Sequence, residues 1–153
     1  MTGSGADLTA RTLAPGDATG DVLRLDTPVS FWGGVDETGT IVDVHHPQCG
    51  ERLTGKVVVM ASGRGSSSST AVLAEQIRAG TGPAALVLSE CDTILVIGAL
   101  VATELYGVRM PIVEVSPTDL IDLIELDRRE PGPLRVTADP DTLHATLTRE
   151  GRR

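Results

Sequence analysis

The feature that most constrains the fold is a short apolar strand followed by a glycine loop and a helix. Val57–Ala61 is a continuous apolar run of strand length, and helical spacing of apolar residues extends over Thr70–Ala79. Gly80, Gly82 and Pro83 then end the predicted helix. We therefore expect a buried strand that leads through a loop into a helix.

Strands and helices continue to alternate toward the carboxyl terminus. The sequence predicts strands at Ala84–Leu88, Pro111–Val115 and Pro133–Val136, with helices at Asp92–Tyr106 and Thr118–Asp127. The first of these helices begins with β-branched residues, but its length and spacing favour a helix over a strand. Alternating strands and helices imply parallel pairing through right-handed crossovers, which makes the fold class α/β.

The amino-terminal third is predicted to be rich in strands. Short strands are expected at Gly20–Leu25, Pro28–Phe31 and Thr40–Val44, with a turn at Asp36–Gly39. The expected domain organisation is a flexible amino terminus over residues 1–11, one domain over residues 12–139 and a tail over residues 140–153. A chain of 153 residues with 41% hydrophobic side chains suits a single core.

Charge and hydropathy exclude several classes of protein. The net charge of −8 offers no basic face for phosphates, so nucleic acid is not an expected partner. The longest apolar stretch, Thr93–Ala102, is shorter than the roughly 20 residues that span a bilayer. Met1–Arg11 is polar rather than a signal peptide. We expect no membrane association and a cytoplasmic location.

The chain is not predicted to hold a metal by itself. Cys49 and Cys91 are far apart in the sequence and form no CxxC pair. An iron–sulfur cluster needs about four ligands, mostly cysteine. The adjacent residues His45 and His46 point to opposite sides of an extended segment, and no further ligands accompany them. Any cluster that the chemistry requires is expected on another chain.

The glycine–serine loop is the strongest candidate for a functional site. Gly63, Arg64 and Gly65 precede a run of four serines, Ser66–Ser69, at a strand-to-helix junction. In parallel α/β sheets, ligands bind at such junctions, where glycines permit close approach and the helix offers free N–H groups. A hydroxyl held there could act as a base. The alternative is that Ser66 or Ser67 only caps the helix.

Two nucleotide-binding patterns nearly match and are rejected. Gly63-x-Gly65-x-x-Ser68 resembles the dinucleotide pattern, but its third glycine is serine and no second half follows. Gly50–Val57 resembles a phosphate-binding loop until Val57, where a hydroxyl is required, and a strand follows instead of a helix.

A second cluster lies at Ser30–Asp36. Phe31 is expected in the core. Trp32, Gly33 and Gly34 could form a wall or a backbone contact beside a ligand. Asp36 is expected to stabilise the turn that follows, through its own side chain. Further along the chain, His46 could line the cleft as a hydrogen-bonding group.

Five motifs in order resemble the small subunit of aconitase X. No single motif is specific, but their order and spacing over about Gly16–Val115 are. They are Ser30–Asp36, His46-Pro47, Gly55-Lys56-Val57, Gly63–Ser69 and Glu104–Gly107. The resemblance implies the swivelling β/β/α domain of the aconitase superfamily, which closes over a cleft in a larger partner.

The resemblance also implies an activity. In the superfamily, the first serine after the loop glycine removes the substrate proton, and this position is Ser66 here. The substrate would contact Gly63, Arg64, Gly65, Ser67 and Ser68, and also Trp32, Gly33, Gly34 and His46. Where the wider aconitase pattern has arginine, this chain has Ser68, so that residue's role in binding carboxylate does not transfer. The large subunit would carry the iron–sulfur cluster, and neither chain would be active alone.

The family acts on two substrates, and other classes of function stay open. The serine-rich loop and Ser30–Gly34 resemble bacterial members, which favours dehydration of cis-3-hydroxy-L-proline over that of mevalonate 5-phosphate. A noncatalytic anion-binding or assembly module would keep the loop for structure only. A nucleotide-binding enzyme is a third interpretation, which titration with NAD or ATP would test.

Overall fold

The computed structural model describes residues 7–150, which form a closed seven-stranded barrel with helices packed against it. The strands are β1 (Leu8–Ala14), β2 (Gly16–Arg24), β3 (Val57–Met60), β4 (Ala85–Leu88), β5 (Ile112–Glu114), β6 (Pro133–Ala138) and β7 (His144–Arg149). The helices are α1 (Phe31–Gly34), α2 (Ser69–Ala79), α3 (Thr93–Tyr106) and α4 (Pro117–Arg129). Within these residues, none of the helices is long and apolar enough to cross a bilayer.

The barrel consists of a parallel half and an antiparallel half. Around the barrel the order is β1-β5-β4-β3-β2-β6-β7, and β1 also pairs with β7. Strands β2, β3, β4 and β5 are parallel neighbours, whereas β1, β6 and β7 pair antiparallel. Parallel pairing through helical crossovers, predicted from the alternation of elements, is confirmed for β3, β4 and β5. It is wrong for β6, the strand predicted after the last helix, which pairs antiparallel with β2 and β7. The carboxyl ends of the four parallel strands therefore lie at one edge of the barrel.

The central strands are buried on both faces, which explains their continuous apolar sequences. The core consists of two apolar clusters on opposite faces of the central strands. In β3, Val58 and Met60 pack with α2 and α3 in one cluster, and Val57 and Val59 pack with β6, β7 and α4 in the other. All four side chains are at most 1% exposed. Because successive side chains in a strand point to opposite faces, both faces need apolar residues when both are covered.

The helix ends agree with the signals in the sequence. Gly80, with φ of 77°, ends α2, and Gly107, with φ of 68°, ends α3. The ambiguous segment is a helix, as predicted, and Asp92 caps it by accepting hydrogen bonds from the backbone of the first turn. A side chain at Gly98 would come within 2.9 Å of Thr70 O, so this glycine lets α3 approach α2 closely.

Two predicted strands in the amino-terminal third are wrong. Phe31 begins the single turn α1 rather than ending a strand over Pro28–Phe31. Thr40 and Ile41 make only isolated bridges, so Thr40–Val44 is not a strand of the sheet. Gly33 has φ of 81°, a conformation that reverses the chain and that favours glycine over residues with a side chain.

The barrel also extends beyond the predicted domain limits of residues 12 and 139. Leu8–Arg11 pairs with His144–Leu147, so the first and last strands close the barrel against each other. These strands alternate apolar and polar side chains over only a few residues, a weak signal in a sequence. Parts of the expected flexible amino terminus and of the expected tail lie outside the described residues, namely residues 1–6 and 151–153.

Candidate active site

Three loops at the carboxyl edge of the parallel strands meet at the candidate site. They follow β2, β3 and β4 and comprise residues 25–30, 61–68 and 89–92. A side chain at Gly65 would overlap Ser30 Oγ, and one at Gly63 would overlap the carboxylate of Asp92. Since both glycines lie against neighbouring loops, the glycine–serine loop is fixed from two sides. The site lies where the topology of a parallel sheet predicts it.

The loop presents Ser66 at the amino-terminal end of α2. Gly65 has φ of 104°, which glycine adopts readily. Ser66 Oγ accepts a hydrogen bond from Ser68 N at 3.1 Å, and Ser66 O accepts one from Ser69 N at 3.0 Å. Ser66 is exposed and lies two residues before Ser68, the N-cap residue of α2, and its hydroxyl takes the capping role that the Ser68 side chain does not. An N–H donor and the positive end of the helix dipole both stabilise negative charge on that oxygen.

The four serines occupy different environments. Ser66 and Ser67 are exposed and Ser68 is half-buried, whereas Ser69 is only 2% exposed. Ser69 Oγ accepts a hydrogen bond from Trp32 N at 3.2 Å. Ser69 is thus turned into the protein, toward Trp32 in the second cluster, Ser30–Asp36. Its hydroxyl is not available to a ligand.

The second cluster, Ser30–Asp36, contains α1, whose two interior residues are not helical but form a tight turn beside the loop. Trp32 (φ −88°, ψ 106°) and Gly33 (φ 81°, ψ −13°) have the dihedral angles of a type II turn, in which glycine suits the second central position. Ser30 Oγ donates a hydrogen bond to Trp32 O at 2.9 Å, and Val42 N donates one to Gly34 O. Phe31 is buried in the core, as predicted. The Trp32 side chain is 58% exposed and can form a wall of the site.

Arg64 is the cation nearest to Ser66 in the chain. Its side chain is exposed, between the two loop glycines. None of the ion pairs found within residues 7–150 includes it. A guanidinium in this position can bind a carboxylate through two parallel hydrogen bonds.

His46, predicted as a hydrogen-bonding group of the cleft, is buried and hydrogen-bonded within the protein. Its side chain is 6% exposed, Nε2 donates to Thr27 O at 3.0 Å, and Nδ1 accepts from Gln48 N at 3.0 Å. The Gln48 side chain in turn accepts from Asp26 N and donates to Arg24 O. These hydrogen bonds tie the loop after β2 to residues 46–48, which is a structural contribution of the ring.

We expect His46→Ala to lower the free energy of unfolding by about 1–3 kcal/mol, because a buried side chain is truncated and two part-buried hydrogen bonds to the backbone are lost. The measurement is urea unfolding of the isolated chain. His45→Ala is the matched control, since His45 is exposed, and its free energy of unfolding should change by less than about 0.5 kcal/mol. Equal stability of the two variants would contradict the structural role of His46.

Asp36 stabilises the turn over Asp36–Gly39, as predicted. Its Oδ1 accepts hydrogen bonds from Thr38 Oγ1 at 2.6 Å, from Thr38 N at 2.9 Å and from Thr40 N at 3.1 Å. The hydrogen bond from the Thr38 side chain has the largest effect, and together these bonds lower the pKa of Asp36 below its ordinary value. A carboxylate that stays ionised and is held by three donors is suited to structure rather than to proton transfer.

Residues 7–150 contain no group of three or more histidine, cysteine, aspartate or glutamate side chains placed to hold a metal ion. Cys49 is exposed and Cys91 is half-buried, and neither forms a disulfide. The side chains of this described part therefore do not fit an iron–sulfur cluster, which needs several thiolates in one place.

Three residues at the site have contacts that the sequence does not reveal. In the sequence, Ser30 is only the start of a motif, Ser69 is one serine among four, and Asp92 is the start of a helix. The structure places Ser30 against Gly65, Ser69 against Trp32 and Asp92 against Gly63. Glycine and serine occur in both Ser30–Asp36 and Gly63–Ser69, which agrees with these contacts. One sequence alone does not show which distant residues lie against each other.

Comparison with known proteins agrees with this architecture. The family model described as "Aconitase X swivel domain" matches residues 7–144. The crystal structure of aconitase X from Thermococcus kodakaraensis in its holo form superimposes with a TM-score of 0.71 at 26% identity, covering 94% of this chain and 98% of that one.

Two groups of relatives differ in length. A cis-3-hydroxy-L-proline dehydratase from Pseudomonas aeruginosa is 47% identical over 67% of this chain, but the match spans only 18% of that protein. The phosphomevalonate dehydratase small subunit from Methanothermobacter thermautotrophicus is 32% identical over 78% of this chain and 87% of its own length. The family model covers nearly the whole barrel, and the fold and the order of motifs agree with it, so this chain belongs to the aconitase X swivel-domain family.

Proposed function

We propose that this chain is the swivel-domain subunit of an aconitase X type hydro-lyase and that Ser66 is its catalytic base. The observation that carries the proposal is the exposed Ser66 hydroxyl, which accepts a hydrogen bond from Ser68 N at the amino-terminal end of α2. Membership of the family supports a dehydratase, and relatives of similar length are named as small subunits. A large partner chain would complete the site.

The roles of this chain's residues follow from their placement. Ser66 Oγ, ionised as an alkoxide whose charge the N–H of Ser68 and the helix dipole stabilise, takes a proton from a substrate carbon and becomes a neutral hydroxyl. Arg64 binds a substrate carboxylate, and the exposed Trp32 and Gly33 flank the bound molecule. The substrate hydroxyl would leave on the side of the large chain, which we propose binds the iron–sulfur cluster and supplies the proton that completes the water. Residues 7–150 offer no ligands for that cluster, so the part of this chain is to bind the substrate and to move the proton.

For the substrate, we propose cis-3-hydroxy-L-proline. The support is 47% and 41% identity to dehydratases named for that substrate, over 67% and 71% of this chain. A phosphomevalonate dehydratase small subunit is also 47% identical, but over only 52% of this chain. Mevalonate 5-phosphate is the second candidate, because several relatives of similar length are phosphomevalonate dehydratase small subunits. Both substrates carry a carboxylate, which Arg64 can bind in either case.

The test is reconstitution with the larger, cysteine-bearing aconitase-like chain expected to be encoded beside this one. Alone, this chain should be colourless and inactive. The pair should convert cis-3-hydroxy-L-proline to a product in equilibrium with pyrroline-2-carboxylate. Turnover by this chain without a partner would contradict the two-chain proposal, and turnover of mevalonate 5-phosphate alone would reverse the choice of substrate.

The noncatalytic alternative makes a different prediction for the same complex. If the loop served only anion binding or assembly, replacement of its serines would leave the activity of the pair unchanged. Binding of NAD or ATP by the isolated chain, measured by calorimetric titration, would instead favour a nucleotide-binding enzyme.

A further inference from the structure

We propose that Ser69 is a positioning residue, which joins the Trp32 turn to the first turn of α2 so that the indole and the Ser66 hydroxyl form one rigid surface. The inference rests on the proposed function for its effect on turnover, but not for its effect on Trp32. It assigns a role to the one serine of the loop that faces away from solvent.

The first observation is the burial of Ser69. A buried hydroxyl without a partner is costly, so its hydrogen bond matters for where its neighbours lie. Here the partner is Trp32 N, at 3.2 Å from Ser69 Oγ. Trp32 and Ser69 are far apart in sequence, so this bond fixes one motif to the other rather than shaping either alone.

The second observation is that Trp32 is held from its other side as well. Ser30 Oγ donates to Trp32 O at 2.9 Å, so both backbone groups of the tryptophan are bound by serine hydroxyls. Ser30 also lies against Gly65, where any side chain would overlap Ser30 Oγ. Because Gly65 directly precedes Ser66, the same residue that fixes Trp32 contacts the backbone that presents the base.

The third observation is that the side chain carried by this turn faces outward. Trp32 is 58% exposed although it is a large apolar residue, and it is carried by a tight turn rather than by a long flexible loop. An exposed aromatic side chain on a rigid turn can contact a ligand or a partner with little loss of conformational entropy. The serine hydroxyls therefore maintain the geometry that an aromatic wall requires.

Ser69→Ala removes the acceptor and should release the Trp32 turn. Trp32 is the only tryptophan of the chain, so its fluorescence reports the turn directly in the isolated full-length protein. We expect lower steady-state anisotropy and stronger quenching by acrylamide. In the assembled enzyme, kcat should fall by about 10- to 100-fold with a smaller change in KM, because a displaced wall misplaces the reacting groups.

Thr70→Val is the matched control. Thr70 Oγ1 donates to Ile94 O at 2.8 Å, so this variant also loses one partly buried hydroxyl bond, at the next position of the same helix, but not one to Trp32. It should show a comparable fall in Tm with Trp32 anisotropy and kcat close to those of the wild type. Ser30→Ala, which removes the other bond to Trp32, should reproduce the fluorescence change and keeps the test decisive if Ser69→Ala does not fold.

Unchanged Trp32 anisotropy in both Ser69→Ala and Ser30→Ala would overturn the proposal. Equal losses of kcat in Ser69→Ala and Thr70→Val would overturn it too, since they would indicate only general destabilisation. A mobile Trp32 combined with full turnover would refute the effect on catalysis. These outcomes differ from failure of the proposed function, in which Ser66→Ala itself would leave turnover intact.

Discussion

Replacement of Ser66 by alanine is expected to lower kcat of the assembled enzyme by about 10²- to 10⁴-fold, the usual effect of losing a general base. The loss of stability should be small by comparison. Ser66 Oγ accepts one capping hydrogen bond, from Ser68 N, and losing such a cap costs about 1 kcal/mol. Turnover and thermal unfolding of the same preparation measure the two effects, and size-exclusion chromatography checks that the subunits still assemble.

Ser67→Ala and Ser68→Ala identify which serine of the loop is the base. Ser67 is exposed and Ser68 is half-buried, and neither side chain occupies the position of Ser66 beside the Ser68 N–H. We expect both variants to keep much more activity than Ser66→Ala. A dead Ser67→Ala enzyme beside a fully active Ser66→Ala enzyme would move the base by one residue. Full activity in all three variants would refute the catalytic role of the loop.

Gly65→Ala should disrupt the site although it adds only a methyl group. Gly65 has φ of 104°, and a Cβ there would overlap Ser30 Oγ and lie 2.9 Å from Ser30 Cβ. The backbone strain alone costs about 1–3 kcal/mol. Because the loop or Ser30 must move to relieve the overlap, Ser66 and Trp32 no longer keep their relative positions. We expect kcat/KM to fall by about 100-fold, as displacements of about 1 Å can produce.

Gly80→Ala separates strain from displacement of the site. Gly80 has φ of 77° at the other end of α2, but no atom lies within 4 Å of a Cβ built there. This variant should lose a comparable amount of stability in urea unfolding and yet keep wild-type kcat/KM when assembled. If both glycine variants lost activity equally, or if Gly65→Ala were fully active, the fit of Gly65 against Ser30 would not matter for catalysis.

The sequence by itself predicted the elements whose signals are local. The apolar runs of β3 and β4 identify strands that are covered on both faces, and glycines mark the ends of α2 and α3. The position of the glycine–serine loop, after a parallel strand and before a helix, predicted a candidate ligand site there, whereas the choice of Ser66 within it came from the family resemblance. These features depend on residues within a few positions of each other, so one sequence is sufficient to predict them.

Only the tertiary structure decided the features that depend on distant residues. β1 and β7 carry short and weak alternating patterns, and they become strands because they pair with each other to close the barrel. His46 is a candidate site residue in the sequence, but in the structure it is buried and hydrogen-bonded to Thr27 and Gln48. The run of four serines gives no sign of which one faces inward. Burial of Ser69 against Trp32 is decided by packing between residues far apart in the chain, and the free energy of such contacts depends on the folded geometry rather than on the local sequence.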